Sequence, residues 1–151
     1  MTLRVGLALV GLSCAWTAGL AAQAAAPAAT DSARLQGTWV MVSGSAGGYP
    51  MPPGLMNQMK RVFAGNALTV TMGASPYFTA TIVLNPAATP KTIDYHMTGG
   101  PTSGSVQLGI YRLAGDTAWF CFGAPGAARP GDFTTVAGDQ RTLSTWVRAH
   151  P

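Results

Sequence analysis

Apolar and polar residues alternate with a period of two over several short stretches, separated by Gly, Pro and Asn. Residues 38–43 carry Trp39, Val40 and Val42, which favour strand. Arg61-Val62-Phe63 opens a hairpin that turns at Gly65-Asn66. Leu68-Thr69-Val70-Thr71-Met72 alternates strictly and reads as a half-buried strand. Residues 77–84 alternate again. Residues 92–98 place Ile93, Tyr95 and Met97 on one face, with Asp94 and His96 on the other. Residues 105–113 and 117–122 form a hairpin about Ala114-Gly115-Asp116, and residues 143–148 are the last strand. Between them, 44–53, 99–104 and 123–142 are rich in Gly and Pro and read as loops. One short helix is predicted within 53–60, because Pro53 suits a helix start and Leu55, Met56 and Met59 share a side. Eight strands without long intervening helices predict an all-β sandwich or barrel. The favoured form is an eight-stranded antiparallel up-and-down barrel, which leaves no open edge and can enclose one small ligand.

Composition sharpens this picture. Of 151 residues, 19 are Gly and 11 are Pro, and only 9% are charged against 48% hydrophobic. The acids are five Asp and no Glu. That argues against a helical bundle, a coiled coil or a disordered chain. Residues 1–24 read as a signal peptide: Arg4 is the positive start, 5–20 is uncharged and apolar, and Ala22-Gln23-Ala24 fits a small-x-small cleavage site. An uncleaved anchor is the alternative, but the small-residue end favours cleavage. Lipidation at Cys14 is a second alternative, and Gly11-Leu12-Ser13 is a poor lipobox. Residues 25–33 read as a flexible linker, and 34–149 as the barrel domain. The remaining bases are scattered, with Lys60-Arg61 the one adjacent pair, so no nucleic-acid stripe is expected. Cys121 is then left without a disulfide partner. A periplasmic or secreted location, without stable membrane insertion after signal cleavage, is the expectation.

An ordered set of strings carries a resemblance: Leu35-Gln36-Gly37-Thr38-Trp39; Phe63-x-Gly65-Asn66-x-Leu68-Thr69-Val70; Leu84-Asn85-Pro86; Pro90-Lys91-Thr92-Ile93-Asp94; Leu108-Gly109-Ile110-Tyr111-Arg112-Leu113-x-Gly115-Asp116-Thr117; Cys121-Phe122; and Arg129-Pro130-x-x-Phe133. Together they resemble a lipocalin-like secreted domain family of unknown function, abundant in planctomycete-type bacteria. The resemblance spans about 34–148 and implies an eight-stranded barrel outside the cytoplasm, with no implied reaction. It also implies that Gly37 and Trp39 close one end of the barrel, and that Arg148 lies over Trp39.

The remaining candidates are weighed against plain packing. Cys121 lies among Trp119, Phe120 and Phe122 and reads as a small buried hydrophobe; thiol catalysis would need a base, and His96 and His150 are the only histidines. Asp94 and His96 share a strand face, a weak metal signal that suits a solvated face as well. Met51, Met56 and Met59 form a thioether cluster that could suit copper(I), but they read better as an apolar lid at the barrel mouth. No paired carboxylates or phosphate-cradling glycines emerge, so no catalytic, metal or cofactor set is assigned. The expectation is a non-catalytic barrel with a small apolar ligand in its cup, lined by Phe63, Leu68, Val70, Tyr95, Leu108, Ile110 and Trp119. The alternative is a protein-interaction module of the cell envelope, inhibitor-like or a scaffold, using the 123–142 loop. No protein partner is named by the sequence.

Overall fold

Period-two burial along consecutive strands curls this sheet until its first long strand meets its last. The computed structural model describes residues 29–150; the expected leader, Cys14 and the first part of the 25–33 linker lie outside the described residues. The strands are β1 (Gly37–Ala46), β2 (Tyr49–Pro50), β3 (Met59–Ala64), β4 (Ala67–Met72), β5 (Ser75–Asn85), β6 (Thr92–Gly99), β7 (Val106–Ala114), β8 (Thr117–Phe122) and β9 (Thr142–Arg148). Each of β3 to β8 pairs antiparallel with the next, β3 pairs with β1, and β9 returns to β1. The result is a closed, antiparallel, eight-stranded barrel. The two-residue β2 is an addition on the far end of β1, with Ala46 opposite Tyr49.

Alternation chooses the inner face. Met59, Arg61 and Phe63 point inward on β3, Leu68 and Val70 on β4, and Ile93, Tyr95 and Met97 on β6. Trp39, Tyr111, Phe120 and Trp146 complete a dense aromatic centre. Burying side chains of this size is the main source of stability in so small a domain.

Two expectations need correction. The helix expected within 53–60 is only α2, Pro53–Met56. Met59 and Lys60 belong to β3, because Met59 pairs with Met72 and buries its side chain, and period-two burial there outweighs a helical side. The linker expected to run to residue 33 ends earlier, since Asp31–Leu35 is a second short helix, α1. Five residues are too few for a visible helical period, and tertiary contacts hold the turn. Thr30 accepts from the Ala33 N–H as an N-cap. Leu35 is fully buried, and its carbonyl accepts from Trp39 Nε1 at 2.8 Å.

The α1 end is the floor. Trp39 lies opposite Arg148 in the β1–β9 register, and the guanidinium stacks 4.4 Å from the indole centroid. Arg148 also donates to the Gln36 carbonyl at 2.6 Å and to Asp116 at 3.0 Å. Gly37 has a φ of 100°, a conformation that L side chains rarely adopt, so glycine lets the chain turn under the indole. Gln36 exchanges two hydrogen bonds with Gly65, tying α1 to the β3–β4 turn.

Candidate functional site

The end opposite α1 is where the β1–β3, β4–β5, β6–β7 and β8–β9 connections meet. There the aromatic packing stops short of the rim and leaves a cavity of about 220 Å³. Met41, Met51, Met59, Met97, Tyr77 and Phe78 form its upper wall, and Pro101, Thr102, Pro125 and Thr142 its rim. Deeper down it meets Arg61, Tyr95, Phe122, Ser144 and Trp146. Gly109 shapes this base. It pairs with Phe122 across β7 and β8, and a Cβ on it would fall 2.4 Å from the phenyl ring. The missing side chain admits Phe122, whose ring then packs 4.1 Å from that of Tyr95.

Arg61 is the unusual member. It is 5% exposed, and its Nη1 donates to Tyr95 Oη at 3.1 Å. Its Nε is buried without a hydrogen-bond partner. The guanidinium carbon lies 3.9 Å from the Trp146 ring, 4.3 Å from Phe120 and 5.9 Å from Phe63. Taking such a cation out of water costs several kcal/mol. Stacking on a desolvated ring returns about 2 kcal/mol and satisfies no N–H. The usual remedy is a carboxylate, and the chain has none to spare. Asp31 is held by Lys91 and Arg34, Asp94 by Arg129, Asp116 by Arg148, and Asp132 and Asp139 by Arg141. Those five are all the acidic side chains in the sequence. Burial pulls the Arg61 guanidinium below its ordinary value, although Tyr95 opposes this. An arginine nonetheless stays cationic in proteins. Burial likewise pushes the Tyr95 phenol up, so it remains protonated.

The expected cup residues divide. Val70 and Tyr95 line the cavity. Phe63 and Leu68 point inward but lie in the filled core beneath it. Leu108, Ile110 and Trp119 face outward, one residue out of phase with the inner face. Their neighbours Gly109, Tyr111 and Phe120 take the inward positions. The phase is ambiguous because both faces of β7 and β8 are covered. The 123–142 loop lies along the outer wall, where Arg129 donates to the Gly109 carbonyl at 2.7 Å and to Asp94 at 2.5 Å. Cys121 Sγ donates to the Thr134 carbonyl at 3.7 Å, and the Arg112 guanidinium sits 4.2 Å from the Trp119 ring and 5.8 Å from Phe133. Ile110 is therefore fully buried without belonging to the barrel interior.

The methionines also separate. Met51 reaches over the cavity from the segment between β2 and α2, where its N–H donates to the Gly44 carbonyl at 2.8 Å. Met59 is a wall residue on β3. Met56 packs against the core without lining the cavity. His96 is exposed, whereas Asp94 is taken by Arg129. Among the described residues no three His, Cys, Asp or Glu side chains gather as a metal site. Burial pushes the Cys121 thiol up, away from the reactive thiolate.

Sequence reasoning missed Arg61, Met41, Met97, Phe122 and Trp146 as cavity residues. Arg61 had a usable signal, since it sits midway between Met59 and Phe63 at strand spacing. Extending the helix through Lys60 hid it.

These features define a closed β-barrel with one filled end and one cavity-bearing end. The chain matches no family model, no curated protein and no solved structure. Among the described residues no helix is long and apolar enough to cross a membrane.

Proposed function

We propose that this protein is a non-catalytic binding barrel, exported to the periplasm or beyond, that holds a small, mainly apolar molecule in its cup. The observation that carries the reading is the 220 Å³ cavity with its thioether and aromatic walls. An apolar cavity of 150 Å³ takes benzene, so this one suits roughly nine non-hydrogen atoms. It lies below the roughly 300 Å³ at which drug-sized pockets begin. The cargo is therefore small. Export is supported by the charged start, apolar run and small-residue site of 1–24. The resemblance read in the sequence strings implies the same location and says nothing of a ligand.

A second reading keeps the barrel as a scaffold and gives binding to the 123–142 loop. It is favoured by Val136, 64% exposed, and Tyr49, 68% exposed, on two segments joined by the Gly48 N–H donating to Thr135. Titration of toluene, cyclohexanol and octanol against intrinsic tryptophan fluorescence separates the two, because Trp146 lines the cavity. The cup reading expects saturable binding at a stoichiometry near one for at least one of them. It also expects Met51→Ser to change the affinity and Val136→Ser to leave it alone. Failure of all three to bind would overturn it in favour of the loop.

A further inference from the structure

We infer that the molecule held in the cup is an organic acid, a carboxylate on a short apolar chain or ring, with Arg61 as its counter-ion. This rests on the cup reading and deepens it. Arg61 stands at the base of the cavity, buried, with Nε–H unpartnered and one hydrogen bond to a neutral phenol. Every side-chain carboxylate is committed to another base, so the missing negative charge cannot come from the chain's own side chains. A planar carboxylate matches the fork of a guanidinium and accepts two of its N–H bonds at once. Tyr95 Oη accepts from Arg61 and retains its own proton, which it can donate to the same anion. Above this polar base the wall is thioether and aromatic, a lining for hydrocarbon. Charge at the bottom and apolar surface above describe an amphiphile that enters tail outward and head down. The cavity volume suits an acid about the size of octanoate.

The test compares octanoate with octanamide, equal in length and differing in charge, by titration calorimetry on the wild type and on Arg61→Met. The wild type should bind octanoate at least about tenfold tighter than octanamide, a difference of about 1.4 kcal/mol. Arg61→Met should lose that preference while still binding octanamide. Tyr95→Phe should weaken octanoate and leave octanamide unchanged, which serves if Arg61→Met fails to fold. Equal binding of acid and amide by the wild type would overturn the inference and leave the cup reading standing. Binding of neither would overturn both. Chloride that displaces octanoate competitively at millimolar concentration, with octanamide still bound, would mean that the site holds an inorganic ion, and would also overturn the inference.

Discussion

Trp39 and Arg148 face each other across the seam where β9 closes on β1, and each is held by more than the other. The indole is 1% exposed and anchored to Leu35, while the guanidinium reaches Gln36 and Asp116. Trp39→Ala should cost about 3–5 kcal/mol, the range for truncating a buried aromatic. Arg148→Ala should cost less. The double variant should fall short of additivity by roughly 0.5–2 kcal/mol, the worth of a cation–π contact. Chemical denaturation of the four proteins measures this, and an unchanged midpoint for Trp39→Ala would remove the tryptophan from the floor. This pair was legible only through the resemblance, which implied that Arg148 lies over Trp39; the residue types alone do not say which arginine the tryptophan meets. Arg61 was missed although its spacing between Met59 and Phe63 carried a signal. Beside Lys60 it resembles a solvated charge, and only the phase of β3 turns one basic residue out and the next in.

The least legible element was α1. Its five residues have no amphipathic period, and their conformation is set by what they touch. Burial opposes the charge on Asp31, but bonds from Lys91 at 2.6 Å and Tyr111 at 2.7 Å, with Arg34 nearby, hold its carboxyl below the ordinary 3.8. Burial and the same bond push the Tyr111 phenol up, so it stays a donor. A carboxyl with a depressed native pKa stabilises the fold above its unfolded value, and that contribution disappears as pH falls through the native value. Asp31→Asn should cost about 1.5–3 kcal/mol at neutral pH, as expected for lost charge-assisted hydrogen bonds. The gap between wild type and variant should hold from about pH 7 to 5 and close below about pH 4. Denaturation midpoints across that range decide it; a gap independent of pH would mean that the carboxylate charge contributes nothing. In β7 and β8 the period was visible but its phase was not. A strand covered on one face announces its inside, whereas one covered by the barrel core and by a docked loop is apolar on both.

At the scale of the whole molecule, strand count and hairpin spacing were enough to suggest closure, since each return carries its own turn residues. The depth of the cup was not, because it depends on how far side chains from eight strands fill a common space. The 123–142 loop adds an outer layer whose hold can be measured. Cys121 lies beneath it, so a thiol reagent should react slowly with the native protein. Arg129→Ala, which frees Asp94 and the Gly109 carbonyl, should speed that reaction by at least about tenfold, as a charge-assisted hydrogen bond is worth ~1.5–3 kcal/mol. Equal labelling rates would show that Arg129 does not dock the loop. The two ends of the barrel also differ in how the chain returns. At the floor the β3–β4 and β7–β8 returns turn at Gly65-Asn66 and Gly115-Asp116, close to the contacts of Gln36 and Arg148, while β5–β6 returns through 86–91; at the rim β4–β5 turns as tightly, at 73–74. At the rim the β6–β7 and β8–β9 returns are longer and contribute Pro101, Thr102 and Pro125 to the cavity. The contacts that close the floor and the returns that border the cavity therefore occupy different stretches of the sequence. On the proposed binding role, descendants of this chain, or a library built on it, can vary the rim returns while inheriting the floor unchanged.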